Sequence, residues 1–186
     1  MSLPRLLLHV CCGVCSAYVP ELLLPEFEVT VYYENSNLYP KEEFFKRRDA
    51  AKVMADRFGL PFVEAPHDSF AWFQNVRGLA QEPEGGRRCA SCIQFRLDRT
   101  FAFAKAHDFS YVATTLSVSR RKNTEQINAI GSLLSEKYSI SFLGRDWKKQ
   151  NGEMISQERA KTLGIYRQNY CGCVYSLVRR THQRGI

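Results

Sequence analysis

Short apolar runs that read as β-strands alternate along this chain with segments of helical patterning. The five runs are RLLLHV at 5–10, FEVTVYYE at 27–34, PFVEAP at 61–66, YVATTL at 111–116 and ISFLG at 140–144. Parallel neighbours need a crossover connection, usually a helix, whereas antiparallel neighbours can be joined by tight turns. Strands that are separated by helices therefore favour a parallel sheet. The alternation therefore predicts an α/β fold, with a parallel sheet that carries helices on both faces.

The intervening segments predict five helical stretches. They cover 16–24, where Pro20 shortens the helix, 40–58, 68–76, 91–107 and 124–138. Short helical pieces and loops are expected from 145 to the end. With 186 residues and without repeats or a linker, the chain is expected to form a single domain over 1–186.

The cysteine content indicates a reducing compartment. Seven cysteines are too sparse for a secreted disulfide scaffold, and an odd number cannot all pair. No apolar run approaches the roughly 20 residues that a membrane span requires. Only Arg5 is basic before the first apolar run, and no small-residue cleavage site follows it. We therefore expect a cytoplasmic protein without a membrane association.

All seven cysteines fall into three clusters, and none stands alone. The clusters are Cys11, Cys12 and Cys15; Cys89 and Cys92; and Cys171 and Cys173. The first cluster directly follows the first predicted strand. In parallel sheets, ligands bind at the carboxyl ends of strands, so these thiols lie where a functional site is expected.

Pairs of the form Cys-x-x-Cys direct two thiolates at one centre, as in zinc sites and iron–sulfur proteins. The 12/15 and 89/92 pairs would complete one four-thiolate site and leave three thiols over. A structural zinc site or a dithiol oxidoreductase uses fewer thiols than this chain has, so a redox-active iron–sulfur site accounts best for their number. Glycine-rich nucleotide loops of the GxGxxG and GxxxxGK[ST] types are absent.

Four segments together resemble the cobalamin-independent epoxyqueuosine reductases of the QueH type. They are LLLHVCCGVCSA, the CASC pair at 89–92, DWKK at 146–149 and YRQNYCGCVYS at 166–176. The resemblance covers nearly the whole chain. It implies a fold similar to the PP-loop, adenine-nucleotide hydrolase-like proteins, with CCGVCSA in the place of the pyrophosphate loop, so ATP use is not implied.

The resemblance also implies the reaction and its cofactors. The reaction is the reductive removal of the epoxide oxygen from epoxyqueuosine at the wobble position of a tRNA anticodon, which leaves queuosine. The cofactors are a 4Fe–4S cluster and a second single metal ion, with iron expected. In one partition, four cysteines bind the cluster and three bind the ion. In the other, three bind the cluster and the remainder bind the ion, with a coordination position left open. We further hypothesise that Cys11 and Cys12 point in different directions and serve different centres.

Two side chains outside the cysteine set are candidate catalytic residues. Asp146, in the DWKK loop, is a candidate ligand of the ion or proton donor, and Tyr170 is a candidate proton donor. An ion with an open position can act as a Lewis acid on the epoxide oxygen. An external donor such as ferredoxin or flavodoxin is expected to supply electrons. His9 is expected to be a buried, hydrogen-bonded histidine, and Arg88 and Arg167 to be charge partners of thiolates or contacts to phosphate.

A net charge of +7 favours a polyanionic partner, here the tRNA. The basic bunches at 119–123, 146–149 and 178–184 predict phosphate contacts. These contacts are Arg120, Arg121, Lys122, Lys148, Lys149, Arg179 and Arg180. Tyr39, Trp72 and Phe73 are candidate platforms on which anticodon bases stack.

Two other interpretations compete with the reductase. A zinc-stabilised RNA-binding module without catalysis would use the same cysteines and basic bunches. A tRNA thiolase of the PP-loop group should carry SGGxDS after the first strand, which this sequence lacks. Iron content distinguishes the reductase from the zinc module.

Overall fold

The computed structural model describes residues 2–183 and contains one sheet flanked by helices. The strands are β1 Arg5–His9, β2 Glu28–Tyr33, β3 Phe62–Glu64, β4 Tyr111–Thr114 and β5 Ser141–Phe142. The helices are α1 Val19–Leu23, α2 Lys41–Arg57, α3 Ser69–Asn75, α4 Arg87–Ala106, α5 Thr124–Tyr138, α6 Gly152–Thr162 and α7 Val174–Gln183. Two 3₁₀ turns cover Thr115–Val118 and Lys149–Asn151.

The sheet is parallel throughout, with the strand order β3-β2-β1-β4-β5. The predicted α/β class is therefore confirmed. The chain builds outward from β1 through β2 to β3 and then returns to the other side of β1 with β4. Such a reversal leaves a crevice beyond the carboxyl ends of β1 and β4, because the connections that follow these strands diverge to opposite sides.

Alternate residues of β1 divide the apolar core into two layers. Leu6 and Leu8 belong to the layer that includes α1 and α2. Leu7 faces the opposite layer, which includes α4 and α5. Successive side chains of a strand point to opposite faces, so a strand that is buried on both faces reads as a continuous apolar run. This explains RLLLH and confirms helices on both faces of the sheet.

Several element boundaries differ from the sequence-based prediction. The fourth helix begins at Arg87 rather than at 91, because Gly86 precedes it in an extended conformation and the charged loop ends there. Both Cys89 and Cys92 therefore lie in the first turns of α4. The helix after β1 is reduced to five residues, since turns occupy the segment that carries the first cysteines. The last strand has two residues, Ser141 and Phe142.

Among the described residues, no helix combines the length and the apolar character that crossing a bilayer requires.

Candidate metal centre and substrate cavity

Three thiols converge just beyond the carboxyl end of β1. The ligand atoms of Cys11, Cys12 and Cys15, here called the thiol triad, all lie within 4.8 Å of one another. The sulfurs of Cys11 and Cys12 are 3.8 Å apart. Thiolates that bind one tetrahedral ion at about 2.3 Å are separated by about 3.8 Å, so the triad suits a single ion with one position left open. The hypothesis that Cys11 and Cys12 serve different centres stays a prediction, which this spacing does not favour.

The triad shares its protons unequally. Hydrogen bonds from the Cys12 and Cys15 thiols hold the pKa of Cys11 well below its usual range, and the charge of Arg96 adds to this. The same sharing raises the pKa of Cys12 to about 12 and that of Cys15 well above its usual value. Cys11 is therefore the thiol that loses its proton first, as a metal ligand must.

The topological crevice holds the triad in place. The Cys11 amide donates to Thr115 Oγ1 at 3.2 Å, and this threonine directly follows β4. The Cys15 amide donates to the Cys12 sulfur at 3.4 Å. From the other side, Gln168 Nε2 donates to the Cys12 sulfur at 3.0 Å. Strand ends and one later loop thus converge on the triad.

The other four cysteines, here called the cysteine quartet, surround a small cavity beside the triad. They are Cys89, Cys92, Cys171 and Cys173. Two come from the start of α4 and two from the loop that leads into α7. Burial raises the pKa of Cys92 to about 11 and also raises that of Cys173. All seven cysteines of the chain are free thiols.

A buried ion pair on α2 fixes the loop that carries Cys171. Arg47 Nε lies 2.7 Å from a carboxylate oxygen of Glu43, and both side chains are less than a tenth exposed. The guanidinium donates to the carbonyl oxygens of Cys171 at 2.9 Å and of Tyr170 at 3.1 Å. Because buried donors need partners, the arginine and the loop specify each other's position.

Gly172 allows this loop to approach α2 closely. Its φ of +125° is disfavoured for residues with a side chain. A Cβ at this position would lie 2.3 Å from Leu38 Cδ2 and 2.9 Å from Arg47 Nη1. The glycine between Cys171 and Cys173 is therefore a requirement of both the backbone conformation and the packing.

A larger cavity of about 480 Å³ opens above the triad. Its wall includes Cys11 and Cys15, together with residues of the 119–122 segment and of the loop between α6 and α7. It shares four lining residues with the small cavity. These are Asn37, Arg96, Lys122 and Cys171. Cys11 and Cys15 of the triad and Cys171 of the quartet thus line the same cavity.

The comparison with known proteins agrees with this geometry. The family model described as "Epoxyqueuosine reductase QueH" matches residues 6–179, and this range includes all three cysteine clusters. The chain belongs to the QueH family.

Curated QueH relatives match most of the chain. The "Epoxyqueuosine reductase QueH" of Streptococcus pyogenes serotype M1 is 40% identical over 179 residues, which are 93% of this chain and 70% of the relative. The Haemophilus influenzae relative of the same name is 38% identical over 93% of this chain and 71% of its own. The Thermotoga maritima relative is 36% identical over 96% of this chain and 93% of its own. The family resemblance drawn from the sequence is confirmed.

In this QueH family chain, a buried polar network lies at the end of β1, next to the triad. His9 is fully buried, with Nδ1 at 2.8 Å from Thr114 Oγ1 and Nε2 at 3.0 Å from the Glu34 carbonyl oxygen. Burial, together with the charge of Arg96, lowers the pKa of His9 to about 3, so the ring is neutral. The predicted role of His9 as a buried, hydrogen-bonded histidine is confirmed.

The two predicted catalytic side chains occupy different environments. Tyr170 lines the large cavity, and its hydroxyl donates to the Tyr39 carbonyl oxygen. Asp146 is not among the residues that line either cavity. Its carboxylate accepts from the Lys148 amide at 3.1 Å and from Thr124 Oγ1 at 3.4 Å, which is the geometry of a loop cap. A catalytic role for Asp146 stays a prediction that these contacts do not support.

The predicted phosphate contacts fall into three groups. Arg120, Arg121 and Lys122 line the large cavity, although the Lys122 ammonium points to Cys171. Lys148 donates to the Lys122 carbonyl oxygen at 3.2 Å and Lys149 is exposed. Arg179 is exposed on α7 and Arg180 is half-buried. Arg184, at the end of the third basic bunch, lies outside the described residues.

The remaining candidates also separate by burial. Trp72 is 1% exposed and packs with the apolar cluster around Cys173, so its prediction as a stacking platform is wrong. Tyr39 and Phe73 are exposed. Arg88 is buried and donates to the carbonyl oxygens of Leu79, Ala80 and Glu82, which makes it a support for the loop before Cys89. Arg167 lines the large cavity and donates to Gln157 Oε1.

Sequence reasoning missed Arg96, which lies in the wall between the two groups of cysteines. Its guanidinium donates to the Glu34 carbonyl oxygen at 3.2 Å and to the Asn35 side chain. Within residues 2–183, no ion pair includes Arg96, and the Glu34 carboxylate pairs with Arg99 at 3.4 Å instead. The spacing from Cys92 was an available signal, since residues four apart share one helix face.

Proposed function

We propose that this protein is an epoxyqueuosine reductase that acts on tRNA. Membership of the QueH family supports the reaction class. The observation that carries the proposal is the convergence of the thiol triad at the floor of a cavity of about 480 Å³ whose rim is basic. A pocket of this size and charge suits one modified nucleoside together with its flanking phosphates.

We assign the seven cysteines to two centres. The thiol triad holds the single ion, because its spacing matches one tetrahedral metal with an open position. The cysteine quartet holds the 4Fe–4S cluster, since four thiolates are the usual set for a cubane. When bound, the two centres supply single electrons and Lewis acidity. This is the partition of four and three, one of the two that the sequence leaves open.

The reaction consumes two electrons and two protons: both C–O bonds of the epoxide break, a carbon–carbon double bond forms, and the oxygen leaves as water. An external low-potential carrier, such as a ferredoxin or flavodoxin, supplies the electrons. The basic segment 119–122 binds the phosphates of the anticodon loop. Burial, together with the charge of Glu43, raises the pKa of Tyr170 to about 12, so its Oη holds a proton at neutral pH.

A direct assay tests the reductase. The anaerobically purified protein is incubated with tRNA that carries epoxyqueuosine and with a chemical reductant, and the digested nucleosides are analysed by mass spectrometry. We expect the loss of one oxygen atom from the wobble nucleoside. Iron-loaded protein that binds this tRNA but leaves the nucleoside unchanged would refute the proposal. Colourless protein with one zinc and no iron would favour the RNA-binding module instead.

Two variants test the proton donor. Tyr170→Phe is expected to lower kcat by about 10²-fold, as for the loss of a general acid, with tRNA affinity unchanged. Asp146→Asn is expected to lower thermal stability slightly and to leave kcat near the wild-type value. A large loss of kcat in Asp146→Asn alone would transfer the proton-donor role to that residue.

A further inference from the structure

Unpartnered oxygens are concentrated in the large cavity. Among the described residues, seven buried side-chain nitrogen or oxygen atoms have no hydrogen-bond partner. Three of them, Asn37 Oδ1, Ser156 Oγ and Gln168 Oε1, belong to residues that line this cavity. Buried polar atoms in folded proteins are almost always hydrogen-bonded, so such a concentration marks a place where a ligand supplies the partners.

Gln168 brings its unpartnered oxygen to the thiol triad. Its Nε2 donates to the Cys12 sulfur at 3.0 Å, and its Oε1 is the atom left without a partner. The amide group is planar and compact, so Oε1 lies beside the same centre. The loop residue thus presents a buried acceptor beside the thiol triad, in the wall of the large cavity.

Asn37 brings a second unpartnered acceptor to the large cavity. It is 3% exposed, follows β2, and lines both the large and the small cavity. It therefore lies in the wall between the triad and the quartet. Its neighbours in that shared wall, Arg96 and Lys122, are cations, so Asn37 is the uncharged acceptor there.

Two neutral acceptors beside the reaction centre select for donors on the substrate. Phosphates and the epoxide oxygen only accept, and the cations of the cavity match them. The five-membered ring of epoxyqueuosine also carries two neighbouring hydroxyl groups, which are donors, and one of them is bonded to a carbon next to the epoxide. We propose that Asn37 Oδ1 and Gln168 Oε1 accept hydrogen bonds from the two ring hydroxyls and so orient the epoxide. This inference rests on the proposed function and specifies how its substrate is recognised.

Binding of two tRNAs that differ only in the wobble nucleoside tests the inference. One carries queuosine, which has the ring diol, and the other carries 7-aminomethyl-7-deazaguanosine, which has the same base and amine but no ring. Wild-type, metal-loaded protein is expected to prefer the queuosine tRNA. Asn37→Leu and Gln168→Leu are each expected to reduce this preference by about tenfold, the effect of removing one hydrogen bond, with affinity for the ringless tRNA unchanged.

Conservative variants separate the acceptor from other roles of the same side chain. Asn37→Asp and Gln168→Glu keep an acceptor oxygen and are expected to retain most of the preference, although Gln168→Glu loses the donor to Cys12. Gln74→Leu, which replaces an exposed amide of α3 outside both cavities, is the matched control and should behave as wild type. Iron content, measured for every variant, shows whether the metal centres have formed.

The outcomes distinguish this inference from the proposed function. A wild-type protein that removes the epoxide oxygen but binds both tRNAs equally would overturn diol recognition and leave the reductase standing. Leucine variants with normal iron content and an undiminished preference would overturn it as well. A wild-type protein that neither distinguishes the tRNAs nor reduces the epoxide would refute the function on which the inference rests.

Discussion

The ammonium nitrogen of Lys122 lies 3.0 Å from the sulfur of Cys171. This contact joins the basic segment at the cavity rim to the cysteine quartet. The negative charge of Cys171 raises the pKa of Lys122. In return, although burial opposes it, the charge and hydrogen bond of Lys122 lower the pKa of Cys171. A residue that the sequence assigns to tRNA phosphate is thus held against a thiol that we propose as a cluster ligand.

Removing this charge should make the quartet centre harder to reduce. Lys122→Met is expected to lower its midpoint potential by roughly 60 mV, which for one electron corresponds to about 1.4 kcal/mol of charge stabilisation. Potentiometric titration followed by electron paramagnetic resonance measures the shift. Lys122→Arg should retain most of the wild-type potential, and Lys149→Met, which removes an exposed charge outside both cavities, is the control. An unchanged potential in Lys122→Met would contradict the role of this contact.

The Arg47–Glu43 pair should stabilise the Cys171 loop through its backbone. Arg47→Met leaves Glu43 buried without its partner, and breaking such a pair costs about 3–5 kcal/mol. We expect a decrease of this size in the free energy of unfolding, measured with urea, together with a lower iron content. Removing both charges in Arg47→Met/Glu43→Leu should restore stability but not iron content. Arg48→Met, at a partly exposed pair with Asp49, should change stability by less than about 1 kcal/mol.

Gly172 and Gly164 offer a matched comparison. Both have positive φ, but a Cβ at Gly164 would meet nothing within 4 Å. Gly164→Ala should therefore lower the free energy of unfolding only by the conformational strain, about 1–2 kcal/mol. Gly172→Ala should cost more and should also lower iron content, because Leu38 and Arg47 would have to move. Equal effects of the two substitutions on stability and iron content would refute the importance of the close approach.

Charge reversal at the cavity rim should weaken tRNA binding. The double variant Arg120→Glu/Arg121→Glu is expected to reduce affinity at low salt and to lower the slope of log K against log salt by about 0.7–0.9 for each phosphate that the variant no longer neutralises. Lys46→Glu/Lys52→Glu, which changes the net charge equally at exposed positions of α2 outside both cavities, is the control. If both double variants bind tRNA equally weakly, the rim has no specific role.

His9 should make stability dependent on pH. Its pKa is about 3 in the folded protein and about 6.5 when unfolded, so the unfolded chain binds more protons between these values. The contribution of His9 to the free energy of unfolding is therefore complete above pH 6.5 and falls as pH decreases toward 3. Between pH 7 and 4.5, the wild type should lose roughly 2–3 kcal/mol of unfolding free energy through His9, and His9→Gln should not show this part of the decrease. A wild-type pH profile in His9→Gln would contradict this prediction.

Much of the fold follows from the sequence. The apolar runs at 5–10 and 111–116 predict the buried parallel strands because both faces of such strands are covered, and the periodicity at 124–138 coincides with α5. The start of α4 at Arg87 was missed, since a glycine-rich, charged stretch lacks the apolar periodicity that marks a helix. The short β5 depends on pairing with β4, which its own residues do not encode.

The sequence by itself determined that seven thiols form three clusters and that the first cluster follows the first strand, because cysteine type and spacing are local properties of the chain. It also indicated the QueH family, since four motifs in a fixed order are specific to that family. Only the tertiary structure decided that Cys11, Cys12 and Cys15 converge and that Lys122 faces Cys171. It alone brought Asn37 and Gln168, distant along the chain, to one cavity. Such contacts depend on the order of strands and on the close packing of loops, so spacing along the chain does not encode them.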